Sequence, residues 1–342
     1  MLRLSRATVV AAAAADAAEQ RLSIELDGER RTAIADVGLV GVSEVGDDVV
    51  VNVEALELRL GSGGFDIVHV NLTRGLDGDG TPGAHVMKLN YTSLQHAVAP
   101  VEEGDPDGTP APPELPLGRP VAVLALHGQL APLAWAFGRA SEGGRLGYVQ
   151  TPGGALPGGH SCVVRDLRDA GLLAGHLTAG TAYGGADGDA VTTAAALDHG
   201  LGTLGWDAAV AGPGPGILGS GSALGHGGMQ ALDSAHTALA LGCPTLIVAR
   251  VSSSDGRTRH RGLSHHTRTV LDLLLAPVAV AVPEGLRPRE APGDHEWLEA
   301  PADLDGYAAS GLPTRSMGRE DPLFFAGSLA AGGVLAQMAA AE

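Results

Sequence analysis

The sequence predicts an α/β protein: a mostly parallel, Rossmann-like sheet with helices on both faces, preceded by a small N-terminal all-β, barrel-like module. Three observations carry this reading. From Arg119 onward, apolar strand-length runs alternate with helix-length runs, the rhythm of a parallel sheet with crossover helices. Aromatics are only 3% of the residues, so the core must be built from Val, Leu, Ile and Ala, which suits buried parallel strands under Ala-rich helices. Residues 1–75 instead break into short alternating runs separated by Gly and Asp, the pattern of a small barrel or sandwich. A chain of 342 residues, at about 100–200 residues per domain, divides into about two domains.

The N-terminal run around Thr8 is apolar but short, and Asp16, Glu19 and Gln20 interrupt it. It reads as a strand and a turn rather than an export signal. Residues 21–26 alternate, and Asp27-Gly28 turns the chain. Residues 32–42 supply another strand, residues 45–48 turn again, and residues 49–53 follow as a strand. Leu56 and Leu58 alternate with charge, as a strand would, and Gly61-Ser-Gly-Gly turns into a strand from Ile67. Residues 76–118 form a connecting segment: the stretch from Asp77 to Gly83 opens it, and a Gly/Pro/Asp linker from Glu102 closes it. Between them, His85-Val-Met-Lys-Leu-Asn-Tyr-Thr-Ser-Leu-Gln reads as ordered.

The α/β domain spans residues 119–342. Strands are expected at 120–126, 145–149, 176–179, 206–211 and 245–250, with a final one at 278–282. Helices are expected at 131–140, 162–173, 189–204, 228–241 and 267–275, and a last helix near 324–340. Asp187 and Asp189 read as helix caps.

The formal net charge of −17 repels phosphodiester backbones and anionic lipid surfaces, so neither nucleic acid nor membrane is an expected partner. Two cysteines, Cys162 and Cys243, are too few for a disulfide framework, which fits a reducing cytoplasm. No apolar stretch reads as long and unbroken enough to span a bilayer. The oligomeric state stays open, a homo-oligomer included.

In parallel α/β sheets, ligands bind beyond the carboxyl ends of the strands. The loops there are at 127–129, 150–157, 180–185, 212–228 and 252–267. The richest is Gly212-Pro-Gly-Pro-Gly-Ile-Leu-Gly-Ser-Gly-Ser-Ala-Leu-Gly-His-Gly-Gly, whose bare N–H groups beside a helix start could hold an anion. Gly214, Gly216 and Gly219 match G-x-G-x-x-G, Ser220 and Ser222 could add donors, and His226 follows; tight packing alone is the competing explanation of the glycines. A dinucleotide site should carry an acid at the end of the next strand, where this chain has Arg250, so no cofactor is assigned.

A second segment, Asp255-Gly-Arg-Thr-Arg-His-Arg-Gly-Leu-Ser-His-His-Thr-Arg, gathers cations in an acidic chain. Arg259 and Arg261 suit a phosphate or carboxylate, and Ser264 could cap the helix that follows. Imidazole titrates near neutrality, so His265 or His266, with His127 next, are the candidate acid/base groups. No metal is expected: helical neighbours such as His265 and His266 point about 100° apart, and nearby arginines repel a dication. His160-Ser161-Cys162 lacks the G-x-S-x-G of a nucleophile elbow.

Taken together, several segments resemble a bacterial family known only as a domain of unknown function, number 3866. They are Gly46-Asp-Asp-Val-Val-Val-Asn, Leu60-Gly-Ser-Gly-Gly, the segment from His85 to Gln95, Gly180-Thr-Ala-Tyr-Gly-Gly, Gly214-Pro-Gly-Ile-Leu-Gly-Ser-Gly and Arg259-His-Arg-Gly-Leu-Ser-His-His-Thr. Ala186-Asp-Gly-Asp departs from the family's pattern after Tyr183-Gly-Gly. The resemblance supports the architecture and implies no reaction. The functional expectation is an uncharacterised protein that binds a small anionic metabolite at the glycine-rich loop, with histidine acid/base chemistry. The alternatives are a non-catalytic ligand-binding or scaffold protein and a metal-dependent hydrolase.

Overall fold

A computed structural model describes residues 1–16, 18–60, 63–76, 78–102, 104 and 108–341. The expected turn at Gly61-Ser62, Asp77, and linker residues Glu103 and 105–107 lie outside the described residues. The chain divides into two units, Met1–Ala99 and Pro100–Glu342.

In the first unit, β1 (Leu4–Ala12), β2 (Glu19–Leu26), β3 (Glu29–Asp36), β4 (Asp48–Asn52) and β5 (Asp66–Asn71) close a barrel in the order β1-β2-β3-β5-β4, with β4 paired back to β1. Burial alternates along β2, and Val9, Leu22, Ile24, Ala33, Val49, Val51 and Val68 fill the interior. Asp27 (φ 50°) and Gly28 (φ 81°) make the two-residue β2–β3 turn, where both central residues must take positive φ. The strand expected over 32–42 ends earlier. The Asp36 carboxylate accepts a bond from Leu39 N and starts a one-turn helix, α1 (Val37–Val40). Leu56 and Leu58 do not form a strand either: Asn52 accepts from Glu54 N, and the chain turns through α2 (Glu54–Glu57). The segment after residue 85 is ordered as a hairpin of β6 (Val86–Lys88) and β7 (His96–Val98).

The second unit contains β8 (Val121–Val123), α3 (Leu130–Ala140), β9 (Leu146–Thr151), α4 (Cys162–Asp169), β10 (Gly175–Ala179), β11 (Asp189–Ala190), α5 (Thr193–Asp198), β12 (Ala208–Pro213), α6 (Gln230–Ala240), β13 (Thr245–Val248), β14 (Val251–Ser252), β15 (Gly262–Leu263), α7 (His265–Leu273), β16 (Ala279–Pro283), β17 (Glu296–Ala300), α8 (Leu304–Ala308) and α9 (Pro322–Ala340). Eight strands form a parallel sheet in the order β11-β10-β9-β12-β8-β13-β16-β17. Alternate strand residues feed two cores. Val121, Val123, Val149 and Val280 pack with α5, α6 and α7; Ala122, Leu124, Tyr148, Val210 and Val248 pack with α3, α4 and α9. Helices therefore cover both faces, and the fold is Rossmann-like.

Four further expectations need correction. Residues 189–204 do not start as a helix: Asp189 and Ala190 extend the sheet beside β10, and α5 begins only after the Thr192 cap. Asp187 and Asp189 are not caps; they accept bonds from the backbone N–H groups of His176 and Gly184 and so hold the loop after β10. The strand at 278–282 is not the last, because β17 pairs beyond it. Pro322–Ala340 is also long and apolar enough to cross a membrane, contrary to expectation, yet most of it is buried, with Ala330, Ala331, Val334 and Leu335 covered in the α3 and α4 core.

Because the sheet is parallel, the loops after β8, β9, β10, β12 and β13 leave one edge. The connection from β8 runs through α3 past β12 to β9; that from β12 runs through α6 past β8 to β13, over the other face. The crossovers diverge between β8 and β12, a switch point of the kind where α/β ligands bind.

Candidate functional site at the carboxyl edge

The loops after β9 and β12 are packed backbone against backbone. A Cβ on Gly214 would stand 2.3 Å from the Ala155 carbonyl oxygen, and one on Gly227 would stand 1.9 Å from that of Gly153. Ala155 N donates to Pro215 O at 2.6 Å. Gly214 is therefore required by packing. Gly216 (φ 72°) then turns the chain into an exposed excursion that returns through a bridge between Gly219 and His226. Ser220 and Ser222 close it: Ser220 Oγ donates to Gly225 O at 3.0 Å, and Ser222 Oγ accepts from Gly225 N at 2.8 Å. Helix α6 starts only after a tight turn at Gly227–Met229. The G-x-G-x-x-G match thus does not open the helix as a dinucleotide fingerprint does.

Beside this excursion lies an imidazole–guanidinium cluster. Arg250, 2% exposed, ends the buried β13 run and pairs with Asp255 at 3.2 Å. Asp255 also receives Arg257 and Arg319, at 3.1 and 3.0 Å. Burial pushes the Asp255 carboxyl up, but the hydrogen bonds and charge of Arg257, with the charge of Arg319, hold it well below the carboxylate range. Burial lowers the Arg250 guanidinium to about 10 against the pull of Asp255. Arg261 Nε donates to the Asp255 carbonyl at 2.9 Å, so it braces the loop. Asp321, which caps α9, accepts from Ser253 N at 3.0 Å and bonds Ser252, joining α9 to the same loop.

Four histidines converge here. The rings of His226 and His266 stack with centroids 3.6 Å apart and planes at 12°. His260 lies 4.8 Å from both His265 and His266. Ser264 caps α7 as expected, and its Oγ also bonds His260 Nδ1 at 2.8 Å. Arg250 Nη1 donates to His266 Nδ1 at 3.1 Å, which places the proton of a neutral ring on Nε2. Burial, then His226 and Arg250, lowers His266 to about 2; burial, then Arg250, lowers His260 to about 4. His226 and His265 are lowered too, by burial and then by His265 and Arg259 respectively. All four are neutral at neutral pH. Among the described residues, no hydrogen bond of good geometry reaches either buried ring nitrogen of His226 or Nε2 of His265, although the Ala223 backbone lies close to the His226 ring. Arg259 is exposed and has no ion pair among the described residues; its Nη1 lies 4.0 Å from where a Cβ on Gly221 would stand.

His265 and His266 do not diverge as expected. They occupy the first turn of α7, where both rings fold against His226, and one nitrogen from each of His226, His265 and His266 lies within 4.8 Å of the others. These three could hold a metal by residue type. Two nearly parallel rings 3.6 Å apart cannot both contain one ion in their planes, however, and Arg250 occupies His266 Nδ1.

His127 belongs to a different group. Its Nε2 lies 2.8 Å from Ser161 Oγ, and its Nδ1 lies 3.3 Å from the Tyr148 hydroxyl. Sequence reasoning missed Tyr148 and Ser161, and the Arg250–Asp255–Arg319 hub. A cation ending an apolar strand was the available signal for Arg250. Arg319 and Asp321 are too distant in sequence to offer one.

Fold and site together define a protein with a closed β-barrel unit and a Rossmann-like unit whose carboxyl edge carries clustered histidines and arginines. The family model described as "Protein of unknown function (DUF3866)" matches residues 32–332, and the chain belongs to that family. No curated protein and no solved structure matches the chain.

Proposed function

We propose that this edge binds a small metabolite carrying a phosphate or carboxylate, between the 216–225 excursion and Arg259. The observation that carries the reading is an unpaired, exposed Arg259 beside Gly221, next to buried, unpartnered nitrogens of His226 and His265, in a chain of net charge −17. Arginine forks match such anions, and neutral imidazoles can add N–H donors. The surrounding cations outnumber the carboxylates of Asp255 and Asp321, which favours an anion over a dication. His265 is the better acid/base group of the pair: it is half-buried, whereas His266 is buried and tied to Arg250. Inorganic phosphate, a sugar phosphate and a dicarboxylate, titrated calorimetrically against wild type and Arg259→Ala, test this. Binding should weaken about tenfold, the worth of roughly 1.4 kcal/mol. No heat with any anion removes the reading; binding without turnover of bound metabolites selects the non-catalytic form of it.

One nitrogen from each of His226, His265 and His266 within 4.8 Å of the others keeps a second reading, a metal-dependent hydrolase, which requires the stacked His226 and His266 rings to part. Elemental analysis of purified protein decides between the two: stoichiometric zinc or another transition metal, lost together with activity in His226→Ala, supports the metal.

A further inference from the structure

The geometry points to Ser161 as a nucleophile, with His127 as its base, for acyl transfer from a carboxylic ester. The argument is a proton count along one hydrogen-bonded chain. The Tyr148 hydroxyl lies 3.1 Å from the Gly212 carbonyl and 3.0 Å from the Pro213 carbonyl, so it donates there. Its oxygen is left to accept from His127 Nδ1 at 3.3 Å. His127 Nδ1 therefore carries the ring proton, and Nε2 offers a lone pair. The group in front of that lone pair is Ser161 Oγ at 2.8 Å, whose own lone pair accepts from Val164 N at 3.2 Å. The Pro213 carbonyl also lies within reach of the His127 ring, and donation from Nδ1 to that side leaves Nε2 to accept the serine proton from a base oriented from behind.

Place and surroundings agree. The chain joins the loops after β8, β9 and β12, across the switch point between β8 and β12. Ser161 is also the N-cap of α4, so charge developing on Oγ meets the positive end of the helix. His176, 1% exposed, stacks on Tyr148 at 5.4 Å and keeps a buried, unpartnered Nε2 beside the group. Ser161 and His127 are 3% and 8% exposed, whereas the flanking Cys162 is exposed. Burial lowers His127 to about 4, leaving it neutral and able to accept a proton at neutral pH.

In the reaction, Oγ bonds to the ester carbonyl carbon as its proton passes to His127 Nε2. The resulting oxyanion forms at the start of α4, where the helix leaves first-turn N–H groups without intrahelical partners and its positive end stabilises the charge. Collapse expels the alcohol, which takes the proton from Nε2. Water then attacks the acyl-serine, giving a proton to Nε2; the carboxylic acid departs and Ser161 recovers its proton. None of Arg259, His226 or His265 takes part, so the anion-binding reading stands or falls separately.

The test is covalent labelling of the full chain with a fluorophosphonate, which bonds phosphorus to an activated serine and releases fluoride, read by peptide mass spectrometry. Adduct is expected on Ser161. It should be absent from Ser161→Asn, which keeps a capping oxygen and the fold, and at least about 100-fold slower in His127→Gln, the low end of a general base's contribution. The labelling rate should rise with pH through about 4 and level off above. Unlabelled Ser161 in folded wild-type protein, or equal labelling of His127→Gln, overturns the assignment.

Discussion

Two histidine clusters occupy the same edge of one sheet, and they solve the burial of polar rings in opposite ways. The His127 group leads into α3 and α4 and forms a directed chain from Pro213 and Gly212 through Tyr148 and His127 to Ser161. The His226 group leads into α6 and α7 and leaves three ring nitrogens unpartnered beside surplus guanidinium charge. Buried polar atoms without partners cost about 1–3 kcal/mol each. The hydrogen-bonded chain of the first cluster is matched from end to end, with only His176 Nε2 beside it unpartnered, whereas the second leaves three ring nitrogens that a bound group would satisfy. That difference separates a preorganised reactive pair from a receptor.

The largest test strikes the hub of the second cluster. Asp255→Ala leaves the buried Arg250 guanidinium without its carboxylate, and chemical denaturation should show a loss of roughly 3–5 kcal/mol. A loss under 1 kcal/mol would mean that Asp255 is not what compensates the buried Arg250 charge, leaving Asp321 as the carboxylate that does.

Acid should unfold both clusters. Folded His127 and His260 titrate near 4 and His266 near 2, all below the ordinary value of about 6.5 for an unfolded chain. Below 6.5 the unfolded chain binds more protons, so stability falls as pH drops from about 6.5 toward 4, by up to about 1.4 kcal/mol per pH unit for each such ring. Melting temperature against pH measures it, and His127→Gln should flatten the slope. An unchanged slope would show that the acid sensitivity lies with the other buried rings, His176, which burial lowers to about 3, and the second cluster.

A bound anion should raise the His265 and His226 values, so protons and anion bind together and phosphate affinity should increase from pH 8 to pH 6. Calorimetry at the two values checks the sign, and Arg259→Ala should lower affinity about tenfold at both. The smallest effect belongs to the first cluster: Ser161→Ala should cost about 1 kcal/mol through the lost helix cap, and Ser161→Asn much less.

Much of the second unit was legible because its signals are local. Within the run 245–250, residues 246–249 are unbroken apolar sequence, as a strand buried on both faces must be, and Thr245–Val248 became β13 inside the sheet. The Asp27-Gly28 turn and the Ser264 cap are likewise one-residue chemistry. Strand β11 and strand β17 were missed for one reason: two residues, or five flanked by loops, become strands only because a neighbour offers a ladder. The Leu56–Leu58 alternation misled because a side chain at Asn52 starts a turn that outweighs a weak pattern.

For the site, residue types alone marked the cations at 257–261 and the histidines at 265–266, since each stands out against an acidic chain. Which of them meet was decided by folding. The stacking of His226 on His266, the bond between Ser161 and His127, and the reach of Arg319 to Asp255 each join residues far apart in sequence. Periodicity and composition record what one segment does with its own backbone; partnership depends on loops brought to a common edge by strands running the same way, and that direction exists only once the sheet has formed.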